Sequence, residues 1–183
     1  MSRVNFGAKP LMLPQPVLII GTYDENGVPN AMNAAWGITT DFKEITISLS
    51  DHKTTDNLKV SKAFTVSMAT EKYMKACDYV GIESARKVPD KFTKAGFHAT
   101  KSEYVDAPLI DELPMALECR VKSFENGLLV GEIVNVSADE SVITDGNIDP
   151  KKLKPITFDP CNNTYVALGN VVGNAFKDGM SLK

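Results

Sequence analysis

An Asn-Gly pair at 126–127 lies between two segments of extended character, and few local features constrain a fold more tightly. On one side Leu117, Cys119 and Val121 alternate with Glu118, Arg120 and Lys122; on the other, residues 128–136 resume as an apolar run. A two-residue turn with both φ angles positive matches the twist of antiparallel strands, and Asn-Gly adopts it at least cost, so the stretch predicts a β-hairpin. The first half repeats the theme. Residues 17–22 are apolar and end at Asp24-Glu25-Asn26-Gly27, after which residues 28–39 continue in extended character, a second hairpin. Residues 44–50 set Ile45, Ile47 and Leu49 against Thr46, Ser48 and Ser50, the period of a strand buried on one face. Residues 63–68 read as a fourth strand, and Val142-Ile143 and residues 165–168 supply pieces to close a barrel.

Helical signals are short. Thr54 or Thr55 caps a helix through Lys59, Thr70 starts a second through Tyr79 that stops at Gly81, and residues 89–96 carry Pro near the start and Gly at the end of a third. Residues 82–88 read as an exposed loop, and residues 151–160, with Pro150, Pro155 and Pro160 in and beside them, as another. Many short strands joined by hairpins and interrupted by a few helices predict a mainly β fold, an antiparallel barrel with helices on its surface. At 183 residues and 43 % apolar content, one domain over residues 1–183 is expected.

A net charge of -3, from 20 basic and 23 acidic residues, creates no field that gathers polyanions, which argues against nucleic acid and acidic membranes as partners. The start lacks a basic segment followed by an apolar core, and no apolar run reaches the ~18 residues that span a bilayer, so a cytoplasmic protein is expected. Cys77, Cys119 and Cys161 are odd in number and widely spaced, fitting neither a disulfide framework nor a zinc site; they are expected reduced and mostly buried. The chain has no Gly-x-Gly-x-x-Gly turn, Gly-Lys-Ser/Thr loop or Gly-x-Ser-x-Gly elbow, which disfavours a dinucleotide fold, an NTPase and a triad hydrolase. His98, alone beside a turn, reads as structural or solvated.

The most chemically specific stretch runs from Asn30 to Asn57. Small residues in Asn30-Ala31-Met32-Asn33-Ala34-Ala35-Trp36 let a flat ring lie against backbone amides. The strand that follows ends at Ser48-Leu49-Ser50, and His52-Lys53-Thr54-Thr55-Asp56-Asn57 then offers hydroxyls, a cation and free helix amides to a dianion. The order suits a planar cofactor with a phosphate tail.

That run, followed by Phe64-Thr65-Val66-Ser67, resembles the flavin reductase-like FMN-binding family, especially its flavoredoxin branch. Asp78-Tyr79-Val80-Gly81-Ile82-Glu83-Ser84-Ala85-Arg86 and Asp90-Lys91-Phe92-Thr93-Lys94-Ala95-Gly96 are similar to that branch's Asp-Tyr-x-Gly-x-x-Ser-Gly-Arg and Asp-Lys-Phe-x-Lys-Ala-Gly segments, with Ala85 in place of glycine. The likeness continues through Pro108-Leu109-Ile110 and Gly131-Glu132-Ile133-Val134 and covers nearly the whole chain. It implies a split β-barrel with Greek-key connections, a homodimer, and one FMN per subunit near the dimer interface. Carried over by position, Asn30, Ala31, Met32, Asn33, Ala34, Ala35 and Trp36 would line the isoalloxazine ring, Ser48, Leu49 and Ser50 would run beside the ribityl chain, and Lys53, Thr54, Thr55 and Asn57 would hold the phosphate. Ser84, Arg86 and Lys91 are weaker candidates for the phosphate or the cofactor's rim.

The cofactor brings the redox chemistry in its own ring, so the protein needs no catalytic acid or base. The function expected is an FMN-dependent oxidoreductase that passes electrons from NAD(P)H or another donor to a small acceptor or a redox partner. A non-catalytic FMN electron carrier would use the same residues. A flavin-free barrel for another ligand or an oligonucleotide would want a basic groove with exposed aromatics, a combination not evident here.

Overall fold

The computed structural model describes residues 2–183. In chain order it runs β1 (Gln15–Pro16), β2 (Leu18–Tyr23), β3 (Pro29–Ala34), β4 (Gly37–Asp41), β5 (Glu44–Ser48), α1 (Lys53–Ser61), β6 (Ala63–Met68), α2 (Met74–Ile82) and α3 (Lys91–Lys94). The second half continues with β7 (Ala99–Lys101), β8 (Pro108–Ile110), β9 (Met115–Glu125), β10 (Leu128–Ala138), β11 (Ile143–Thr144), β12 (Asn147–Ile148), α4 (Pro150–Leu153), β13 (Ile156–Asp159) and β14 (Thr164–Ala167).

Seven strands form one antiparallel sheet in the order β3-β2-β6-β9-β10-β5-β4. Its two edge strands, β3 and β4, are separated in sequence only by Ala35 and Trp36. Three Cα–Cα steps hold Ala34 and Gly37 within about 11 Å, whereas a flat seven-stranded sheet would place its edges roughly 28 Å apart. The sheet must therefore curl until its edges nearly meet. No ladder joins β3 to β4 among the described residues, so the curled sheet is a barrel split along that seam. The Asn126-Gly127 turn forms as predicted, with φ of 51° and 78°, and joins β9 to β10, which extends to Ala138.

Strand β2 faces two cores. Leu18 and Ile20 point into the barrel with Met32, Ile45, Ile47, Leu58, Phe64, Val66, Cys119 and Leu129. Val17 and Ile19 point outward and join Ala31, Cys77, Val80, Phe92, Phe97 and Ile156, where α2 and α3 cover the barrel wall. That double burial explains why residues 17–20 are continuously apolar rather than alternating.

Several elements differ from the sequence expectation. Residues 28–39 are not one extended segment, because the seam requires a corner at Ala35-Trp36. The second helix begins at Met74, since Thr70 instead bridges to Pro155 as isolated β structure. The third is only Lys91–Lys94. Residues 151–160 are not loop: they hold the end of α4 and all of β13, which pairs with β1 on one side and β14 on the other. Pro150 occupies the first turn of α4, where no amide bond is lost, and Asp149 caps it by accepting from the Lys151 amide; Pro155 and Pro160 flank β13 without interrupting it. Cys77 and Cys119 are buried and Cys161 is exposed, all as free thiols.

Candidate functional site

A recess of about 120 Å³ opens where the start of α1, the strand β3 and the loop after α2 converge. Its walls come from Asn30, Met32 and Asn33 of β3, from His52, Lys53 and Thr54, and from residues 80–85 with Lys91. Thr55 organises the helix start. Its Oγ1 accepts from the His52 amide at 3.0 Å and donates to the His52 carbonyl at 2.7 Å, while the amides of Thr55 and Asp56 donate to that same carbonyl. The amides of Lys53 and Thr54 take no part in these bonds, and the first amides of a helix have no intrahelical acceptor.

Asn30 is buried, and its Nδ2 donates to Thr54 Oγ1 at 2.8 Å, tying β3 to α1; its Oδ1 has no partner. The hydroxyl can donate as well as accept, so the amide can turn about and leave its NH₂ group free instead. In either orientation one polar atom of a recess-lining side chain is left for a ligand. Asn57 stands behind the recess, where its Nδ2 donates to Thr22 Oγ1 at 3.0 Å and fastens α1 to β2.

Lys91 is the buried cation of the site, 4 % exposed. Its Nζ donates to the carbonyls of Val80 and Glu83, both at 2.8 Å, satisfying the C-terminal end of α2. Burial pushes its pKa down to about 8. An ammonium has three donors and two are used, so one remains for an anion in the recess. Lys53 Nζ lies 3.6 Å from Glu25 Oε2, a loose surface pair. Arg86 does not line the recess; its guanidinium is engaged by Asp51 and Asp56.

A second, more open recess of about 280 Å³ shares Asn33, Gly81 and Ile82 with the first and adds Ala35, Asp78, Phe158 and Tyr165. Tyr165 donates its hydroxyl to Asp78 Oδ1 at 2.7 Å, and burial together with that carboxylate pushes the phenol up to about 12. Asn33 Nδ2 donates to the Cys77 carbonyl at 3.1 Å. The close approach of α2 to β3 depends on Gly81: a Cβ there would fall 2.8 Å from the Asn33 Cβ.

The sequence-derived site residues therefore divide. Asn30, Met32, Asn33, Lys53, Thr54, Ser84 and Lys91 converge on the first recess, and Asn33 and Ala35 on the second. Thr55 and Asn57 are buried supports of α1. Ala31 packs in the outer core, and Ala34 and Leu49 in the barrel core. Trp36, Ser48 and Ser50 are exposed and line neither recess. Sequence reasoning included His52 in the site stretch without giving it a role, and it missed Gly81 and Glu83 as part of the wall and the Tyr165–Asp78 pair, whose members are 87 residues apart. His98 is held by Glu112, 2.6 Å from Nδ1, and lines neither recess.

No group of three or more His, Cys, Asp or Glu residues able to hold a metal ion occurs among the described residues, and none of their helices is long and apolar enough to cross a membrane. Comparison with known proteins agrees with the architecture. The family model described as "Flavin reductase like domain" matches residues 11–153. The chain is similar to a flavoredoxin of Desulfovibrio vulgaris (Miyazaki F), at 35 % identity and a TM-score of 0.93, covering 97 % of this chain and 100 % of that one. A flavoredoxin from Methanosarcina acetivorans is similar at 26 % identity and a TM-score of 0.88, over 100 % and 99 % of the two chains. An FMN-binding domain of a flavin reductases-like enzyme from Shewanella baltica OS155 shares the fold at 20 % identity and a TM-score of 0.78, over 87 % and 89 %. A barrel split between β3 and β4, with recesses along its β3 flank and a family match over most of its length, places this chain in the flavin reductase-like family.

Proposed function

We propose that the protein binds FMN, with the phosphate in the recess at the start of α1 and the ring along the β3–β4 corner, and works as an electron-transferring flavoprotein. The observation that carries the reading is the donor set of the first recess: free helix amides at Lys53 and Thr54, the unpaired amide atom of Asn30, the hydroxyls of Thr54 and Ser84, and the spare N–H of Lys91. Such a set suits a dianion. A recess of about 120 Å³ is tail-sized, and the adjoining recess gives the heterocycle room to continue past Asn33 and Ala35.

When bound, FMN supplies the redox chemistry, taking electrons from a reduced nicotinamide or another donor and passing them to a small acceptor or a redox partner. The chain's own work is to hold and orient the cofactor. Asn30 and Thr54 fix α1 against β3, Lys91 holds the root of the loop after α2, and Tyr165 holds the Asp78 carboxylate by a hydrogen bond at the wall of the adjoining recess.

The edge formed by β4 and its turn leaves Trp36, Ile38 and Phe42 exposed, the last completely. A second copy of the chain is the cover we assign to this surface, giving a homodimer in which each ring is shielded from water. Reconstitution tests the reading. Purified protein should be yellow or bind added FMN, release it on denaturation, and sediment as a dimer. Colourless protein that takes up no FMN would overturn it, and a monomer with flavin fully bound would overturn the dimer. The 35 % identical flavoredoxin supports a carrier as a second reading. Anaerobic mixing separates the two: flavin that stays oxidised with both NADH and NADPH identifies a carrier, and bleaching identifies a reductase.

A further inference from the structure

Arg86 sits at the tip of the loop whose earlier residues, Glu83, Ser84 and Ala85, form one wall of the first recess. The opposite wall is the start of α1. Arg86 joins the two. Its Nη1 and Nη2 donate to the two oxygens of Asp51 at 3.0 and 2.8 Å, and its Nε and Nη2 donate to Asp56 Oδ2 at 3.1 and 2.9 Å. Four of these contacts leave little of a five-donor guanidinium for anything else. Asp51 directly precedes the capping residue His52, and Asp56 lies in the first turn of α1, so both carboxylates move with the wall that Arg86 grips.

The loop transmits that grip. The Ser84 carbonyl accepts from the amides of Lys87 and Val88, both at 2.9 Å, and Ser84 Oγ accepts from the Arg86 amide at 3.3 Å, so anchoring Arg86 also fixes Ser84. Lys91 holds the root of the same loop through the Glu83 carbonyl. One buried cation secures the base of the wall and one exposed cation secures its tip.

We propose that Arg86 is a positioning residue: it clasps the loop of residues 83–88 onto α1 through Asp51 and Asp56, and so sets how long an anionic ligand stays in the recess, without touching that ligand. The proposal rests on the FMN reading for the identity of the ligand. It has a consequence opposite in sign to direct phosphate binding. Neutralising two carboxylates beside a phosphate site should slow release of the phosphate if charge alone matters, and would free Arg86 to bind it. For a clasp, the same change lets the wall open and release becomes faster.

The test uses FMN-loaded protein diluted into flavin-free buffer, with release followed by recovery of flavin fluorescence. D51N/D56N and Arg86→Met should each release FMN roughly three- to fivefold faster than the unaltered chain, the scale of an exposed multi-bond charged network. Adding Arg86→Met to D51N/D56N should change the rate no further, because the clasp is already open. Slower release from D51N/D56N, or an Arg86→Met effect that persists in that background, would overturn the clasp in favour of a direct contact. Amide exchange of the apoprotein is the second readout: residues 84–88 should lose protection in both variants while the middle of α1 keeps it. Unchanged exchange there would also overturn the proposal. A chain that binds no FMN sinks the FMN reading, and the clasp then stands or falls on exchange alone.

Discussion

Lys91 makes the proposed cofactor affinity depend on pH in a way that can be worked out in advance. Its ammonium is buried and held at a pKa of about 8, below the ordinary lysine value of 10.5. In the empty site at pH 7 the charged form outweighs the neutral form by about tenfold, and at pH 9 the ratio is reversed. A phosphate beside Nζ favours the charged form, so binding above pH 8 must take up a proton. Each pH unit above 8 then lowers affinity by up to about tenfold, or about 1.4 kcal/mol, until the pKa of the occupied site is reached. On the acid side affinity falls as the phosphate dianion takes up a proton and becomes a monoanion near pH ~6. FMN affinity should therefore peak between about pH 6 and 8. Riboflavin, which has no phosphate, should show neither limb.

Stability of the empty protein should move the other way. Because the folded pKa is depressed, the unfolded chain binds more protons between pH 8 and 10.5, and Lys91's contribution to stability rises with pH across that window. Below pH 8 the burial penalty is present in full. Binding weakens on the alkaline side while this contribution to the apoprotein grows, an opposition that general alkaline unfolding would not produce. The assay is FMN titration by quenching of flavin fluorescence from pH 5 to 10, repeated with riboflavin and with Lys91→Met. An unaltered chain with no alkaline limb, or a Lys91→Met variant with the same limb, would refute the assignment.

Two further changes probe the framework. Gly81→Ala forces a methyl to within 2.8 Å of the Asn33 Cβ, so it should cost about 1–3 kcal/mol in denaturant unfolding and weaken FMN binding; unchanged affinity would show that the α2–β3 approach does not shape the site. Phe64 is fully buried over Gly131, and Phe64→Ala should cost roughly 3–5 kcal/mol. Gly131→Ala drives a methyl into the same ring and should be damaging alone but milder beside Phe64→Ala, a coupling that a thermodynamic cycle measures.

What the sequence made legible follows from how local each determinant is. The Asn126-Gly127 hairpin and the start of α1 are decided within a few residues, and both form, although the N-cap of α1 is His52 rather than Thr54 or Thr55, and Thr55 sits at the third helical position and bonds back to it. Strand β13 is decided elsewhere: its partner β1 lies some 140 residues away, and the prolines around it mimic a loop. The alternation in β9 groups Glu118 with Arg120 and Lys122, yet unlike them Glu118 is almost wholly buried. Its carboxylate accepts from Ser102 and from Asn135, because the segment joining β7 to β8 folds across that face. Period two distinguishes two faces of a strand but does not say which one the rest of the chain will cover. The same limit applied at the site. Asn30 and Thr54 were found through local pattern, Lys91 through family resemblance, and Tyr165 by neither, since only the tertiary fold brings it to Asp78.

The corner at Ala35-Trp36 links these observations to the proposed function. Two residues are enough to connect the edges only if the sheet curls, and a sheet that curls without pairing its edges keeps an open seam. Among the described residues, strand β3 pairs with β2 on one side and with no strand on the other, so the seam side carries backbone donors and acceptors that a ladder would otherwise satisfy. Sealing that seam with a further strand would remove the groups most useful to a flat heterocycle that has donors and acceptors of its own. On the proposed reading, the split in the barrel, a weakness for an isolated sheet, is the feature that would leave β3 available to a flavin ring while α1 and Lys91 would hold its tail.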